Sequence, residues 1–149
     1  MRFFLILTTL LIFNVSATAK DILTIEIEGQ ASGVVEILLL PDVAPKHVER
    51  IKTLAESGAY DNIVFHRVIE GFMAQTGDVL FGIKGSPDIA NAGSGGSKLP
   101  NLPAEFSTLE YTKGVVGMAR SSQPDSANSQ FFIMFNDAPF LNGKYTIFG

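Results

Sequence analysis

The amino-acid sequence predicts a mainly β domain, either an antiparallel sandwich or a barrel. Three observations carry that prediction: many short apolar stretches separated by turn-forming residues, one clear amphipathic helix, and no strand–helix alternation of the kind that builds a parallel sheet. Residues 23–29 alternate apolar and polar with period two, the pattern of a half-buried strand, and residues 34–40 form a second strand. The short connection at residues 29–33, with glycine at both ends, suits a hairpin. Pro41 and Pro45 interrupt the sheet. Val48, Ile51, Leu54 and Ala55 then recur at spacings of three and four until Gly58, which predicts a helix of about three turns. Its basic residues Lys46, Arg50 and Lys52 read as a solvated outer face. Residues 63–69 predict the next strand, with Ile63, Phe65, Arg67 and Ile69 on one face and Val64, His66 and Val68 on the other. This places Arg67 inward among apolar neighbours, where a guanidinium requires partners. Residues 82–103, rich in Gly, Ser, Pro and Asn, have no periodicity and predict a long loop of the functional kind. Residues 115–119 and 130–135 predict further strands on either side of a turn-forming segment, and residues 145–148 begin another.

A chain of 149 residues, 46% hydrophobic and 17% charged, fits one ordinary globular domain. The absence of Cys removes disulfides, thiolate metal sites and cysteine nucleophiles together, and two histidines, His47 and His66, are too few for a histidine-rich metal centre. No metal or other cofactor is expected. A net charge of −4, with Lys and Arg scattered singly, argues against nucleic acid as a partner. The front of the chain has the three parts of a secretory signal: Arg2, the apolar run 3–13, and the small-residue pattern Ala17-Thr18-Ala19. The apolar run is shorter than the about 20 residues a membrane span requires. Residues 1–19 are therefore expected to be a signal peptide cleaved after Ala19, leaving residues 20–149 as an exported domain, periplasmic or secreted. Membrane contact is expected only through that segment if it stays uncleaved.

Several chemistries find no support. No G-x-S-x-G occurs for a serine nucleophile, and the glycine-rich residues 93–97 lack the lysine and the strand–helix flanks of a phosphate loop. His66 and Asp78 could form a base and its orienting carboxylate, but a histidine inside an apolar strand reads better as a packed structural residue. There remain Arg67, the nearby Phe72, Met73 and Gln75, and the alternation that puts Gln130 and Phe132 on one strand face.

The stretch Phe65-His66-Arg67-Val68-Ile69-Glu70-Gly71-Phe72-Met73-Ala74-Gln75-Thr76-Gly77-Asp78 resembles the signature of the cyclophilin peptidyl-prolyl isomerases. Four further blocks follow in the same order: Gly93-Ser94-Gly95-Gly96, Gly117-Met118-Ala119-Arg120, Ser129-Gln130-Phe131-Phe132-Ile133, and residues 141–149. The resemblance spans about residues 23–149. It implies a closed eight-stranded antiparallel barrel with helical plugs, of which one helix is evident here. The second helix and the closing strand are expected to be missing, because the family continues beyond the motif that ends at Gly149. The resemblance further implies that Arg67 is the catalytic arginine and Gln75 its amide neighbour. By the same comparison Phe72, Met73, Phe132 and Leu141 form the proline pocket, with Gln130 beside it. Gly93 lies at the groove edge, and the backbone of Ala119 and Arg120 faces the peptide. Phe140 stands where many members have Trp and Tyr145 where many have His, variants that resemble bacterial members, and the first implies weak binding of cyclosporin. Arg120 stands where many have Asn, but the resemblance implies a largely main-chain contact there, so little loss is expected.

The activity implied is cis–trans isomerisation of X-Pro bonds in exported, proline-containing polypeptides, by a monomer. Alternatives are a non-catalytic module that holds such segments in the same groove, and a small-ligand barrel with an interior cavity.

Overall fold

The computed structural model describes residues 20–149; the expected signal peptide, residues 1–19, lies outside the described residues. Strands β1 (Ile22–Ile27) and β2 (Gly33–Leu38) form an antiparallel hairpin in which Ile25 faces Val35 and Leu23 faces Ile37. Helix α1 (Pro45–Glu56) follows, with proline in its first turn, where the ring's fixed φ suits a helix start. Its apolar stripe Val48, Ile51 and Leu54 is buried, as the spacing predicts. Four short strands then build a second sheet: β3 (Arg67–Ile69), β4 (Met73–Thr76), β5 (Val116–Met118) and β6 (Phe131–Met134), in the order β3-β4-β6-β5.

The two sheets are joined by the last four residues. Leu40 N–H donates to Phe148 O at 2.8 Å on one side, and on the other Val116 N–H donates to Gly149 O at 2.9 Å and Met118 N–H to Thr146 O at 2.9 Å. The closed eight-stranded barrel is thus not what the described residues form. They give six strands in two sheets, and the outer edges of β1 and β3 carry no strand partner. The strand expected over residues 63–69 is realised only as β3, with a single bridge from Ile63 to Ile83 before it, and the segment 145–148 contributes a single bridge, Ile147 to Gly117. The long loop is observed, with one short 3-10 turn at Ile89–Asn91. α1 is the only α-helix among the described residues, and no helix there is long and apolar enough to cross a membrane.

The basic face predicted for α1 requires correction. Arg50 is buried, and its guanidinium donates to Pro100 O at 2.7 Å and Asn128 O at 3.0 Å, tying the helix to the loop and to the segment that precedes β6. Lys52 pairs with Asp21 at 2.9 Å, and Lys46 alone of the three lies free in solvent. The fully buried His47 also has a partner the sequence did not indicate: its Nδ1 lies 2.6 Å from Glu105 Oε2, and the same carboxylate accepts the N–H groups of Lys46 and His47. A side chain 58 residues away thus caps the first turn of α1.

The core is in two parts. One packs α1 against β2, β5, Phe131 and Phe148; the other gathers Met73, Tyr111, Phe132, Met134, Leu141 and Ile147. Adjacent residues of β6 point to opposite parts, because side chains alternate across a strand.

Candidate active site

Strand register builds the site. Arg67 on β3 is opposite Gln75 on β4, Gln75 is opposite Phe132 on β6, and Phe132 is opposite Gly117 on β5, so one row crosses four strands on one face. Met73, two residues before Gln75, joins that face. Gly117 has to be small: a Cβ there would lie 2.8 Å from Phe132 Cζ and closer still to the Tyr111 hydroxyl. Tyr111 is stacked on Phe132 with centroids 5.7 Å apart, backing the ring from inside. Burial pushes its phenol well above the usual range, so it stays neutral.

Over this row lies a pocket of about 140 Å³ lined by Arg67, Phe72, Met73, Gln75, Ala119, Arg120, Phe132, Leu141 and Tyr145. Met73, Phe132 and Leu141, all buried, make its apolar floor. Tyr145 stands edge-on to Phe132 at 5.8 Å and forms a wall. Phe140 does not line this pocket; it sits on the rim, 61% exposed, with its ring 5.7 Å from Phe72. A larger polar cleft adjoins, of about 480 Å³, and takes in Gly93, Ser94, Gly95, Ser97, Asn128 and Gln130 while sharing Gln75, Ala119 and Arg120 with the pocket. Every predicted site residue therefore lies in the pocket, in the cleft, or on the rim.

Arg67 is not inward. Its side chain is exposed to solvent at the groove, and so are Val68 and Ile69. The short β3 lies on the sheet's edge, where alternation separates groove from solvent rather than core from solvent. Arg67 Nη1 donates to Gln75 Oε1 at 3.3 Å, Gln75 Nε2 to Gln130 Oε1 at 2.9 Å, and Gln130 Nε2 to the carbonyls of Gly95 at 2.7 Å and Gly93 at 3.1 Å. One line of donors thus runs from the arginine into the long loop.

The loop is held from beneath by Asp78, fully buried, whose carboxylate accepts the N–H groups of Leu80, Phe81, Gly93 and Gly95 at 2.7–3.0 Å. Burial works against the charge, but these four donors outweigh it and hold Asp78 below the usual carboxylate range. That carboxylate is engaged with backbone and does not orient His66. Both ring nitrogens of His66 are buried without a hydrogen-bond partner, and desolvation lowers its pKa, so the ring is neutral packing. Gly93, at φ +102°, rests on it: a Cβ would lie 3.0 Å from His66 Cδ2.

Arg120 does more than offer backbone. Its Nε and Nη2 donate to Lys144 O at 3.1 and 2.7 Å, Nη1 donates to Ser121 O at 2.9 Å, and its Cζ lies 4.4 Å from the centroid of the Tyr145 ring. It clamps the pocket wall. Sequence reasoning missed Tyr111, Asn128 and this clamp. Asn128 binds Ser97 N–H and Oγ at 2.7 Å and shapes the cleft, but no local pattern marks it.

Sheet and groove together define a β protein with an external apolar pocket faced by an exposed arginine. Residues 22–149 match the family model described as cyclophilin type peptidyl-prolyl cis-trans isomerase/CLD. The chain is 56% identical over 135 residues to a "Probable peptidyl-prolyl cis-trans isomerase" of Brucella suis, covering 90% of this chain and 69% of that one. It is 41% identical over 110 residues to the "Peptidyl-prolyl cis-trans isomerase-like 1" of Emericella nidulans, covering 71% and 61%. A crystal structure of a Cryptosporidium parvum cyclophilin type isomerase, solved in the presence of the dipeptide Ala-Pro, superposes with a TM-score of 0.68 at 34% identity, covering 78% of this chain and 71% of that one. The chain belongs to the cyclophilin-type peptidyl-prolyl cis-trans isomerase family.

Proposed function

We propose that this chain accelerates cis–trans isomerisation of X-Pro bonds in exported polypeptides, with Arg67 as the catalytic group. The observation that carries this reading is Arg67 on the wall of a pocket with an apolar floor, its guanidinium hydrogen-bonded to Gln75. The barrier to be lowered is ~18–20 kcal/mol and arises from amide resonance, and unaided exchange takes tens to hundreds of seconds. No proton transfer or nucleophile is required. A fixed guanidinium donating toward the prolyl nitrogen favours the twisted, single-bonded amide over either planar form, while the ring rests on Met73, Phe132 and Leu141 and the rest of the peptide turns. Arg suits this because it stays charged and holds its donors in a rigid plane, whereas Lys would supply a mobile point charge.

Exchange of a short proline peptide, followed by NMR with and without the protein, tests the reading. Acceleration is expected; binding without acceleration would establish the non-catalytic module instead. Export rests on the pattern at residues 1–19, and N-terminal sequencing of the secreted protein is expected to begin at Lys20, an intact Met1 being the contrary result.

A further inference from the structure

Resting on that reading of the groove, we propose that it selects proline segments with an acidic side chain flanking the proline, and that Arg120 is the residue that determines this. The residues lining the pocket and the cleft include two cations, Arg67 and Arg120, and no Asp or Glu. Both guanidiniums are permanently charged. Neither has a carboxylate within 4.0 Å among the described residues, where the ion pairs are His47–Glu105 and Lys52–Asp21.

Arg67 spends one donor on an amide oxygen. Arg120 is bound to neutral carbonyls and an aromatic face, which fix its position without cancelling its charge. This groove is therefore lined by positive charge alone, although the chain as a whole carries −4, and a cleft lined by one sign of charge focuses its field where a peptide lies. Arg120 lines both the pocket and the cleft, so a peptide whose proline fills the pocket places its next residue on the cleft side near that charge. Ser94, Ser97 and Asn128 make the cleft polar enough to admit a solvated carboxylate. A unit charge at about 6–8 Å under surface screening changes affinity by about fivefold.

The test uses short peptides with Glu, Gln or Lys immediately before the proline, and a second set with the same residues immediately after it. NMR exchange spectroscopy with the full chain reads rate and affinity without a coupling protease, whose own preference would intrude. At low salt, kcat/KM for Glu over Gln is expected at about five in one of the two sets, with Lys below Gln. The ratio is expected to fall toward one at high salt and in Arg120→Gln, whatever the absolute rate of that variant, and to survive in Arg120→Lys, which keeps the charge but loses the planar clamp. A ratio of one for the unaltered protein in both sets overturns the proposal. So does a Glu preference undiminished in Arg120→Gln, or one lost equally in Arg120→Lys, since stacking rather than charge would then be responsible. If Gln peptides bind without faster exchange, the catalytic reading fails, and the Glu-to-Gln ratio of Kd still decides the selectivity. If none binds, both fall.

Discussion

At the scale of single residues the site depends on side chains that hold one another in place. Arg67→Ala is expected to lower kcat/KM at least tenfold, about 1.4 kcal/mol of transition-state stabilisation, with the circular dichroism spectrum unchanged because the side chain is exposed. Full activity in a folded variant would remove Arg67 from the catalytic role. Gln130→Leu strips the loop carbonyls of Gly93 and Gly95 of their donor and Gln75 of its acceptor. A net hydrogen bond is worth about 0.5–1.5 kcal/mol, so a loss of about two- to tenfold in kcat/KM is expected, and a steady-state assay on the same peptides checks it. Period-two alternation singles out Arg67 but misplaces it: the pattern separates two faces without saying that one of them is an open groove. Gln75 and Phe132 become partners only through register between strands far apart in sequence, and Tyr145 joins them only by packing edge-on to Phe132, which no local window contains.

At the scale of elements, the helix and the first hairpin are legible because each has one buried and one solvated face. β4 is not, since Met73, Ala74 and Thr76 are all buried and a strand covered on both faces shows no alternation. The cap on α1 is equally invisible, as Glu105 reaches it from 58 residues away. That cap gives a pH dependence. Burial lowers the pKa of His47, so the unfolded chain takes up a proton that the folded one resists, and stability is lost as pH falls below about 6.5. Burial opposes ionisation of Glu105, but His47 and two backbone donors lower its pKa overall, so a second loss follows as pH falls below the ordinary carboxylate range. Urea midpoints are expected to decrease from pH 7 to pH 5 and further below pH 4, with His47→Gln flattening the first step. A midpoint constant between pH 7 and pH 5 would contradict this account.

At the scale of the whole molecule, residues 146–149 are the stitch between the two sheets, and Phe148 is their fully buried anchor, edge-on to Phe131 at 5.9 Å. Phe148→Ala is expected to cost about 3–5 kcal/mol, read from denaturant unfolding, because it empties the helix-side core and loosens both ladders. The sheet containing β6 divides the interior, with Phe131 on the helix side and Phe132 under the pocket. Substitutions that trim the helix side, such as Ile51→Val, act on stability, and those confined to the groove, such as Arg67→Ala, act on rate; two so placed share no partner and their effects add. For a lineage under mutation, the sheet is a firewall: the half that decides how long a molecule survives can drift while the half that decides how fast it turns over is left untouched.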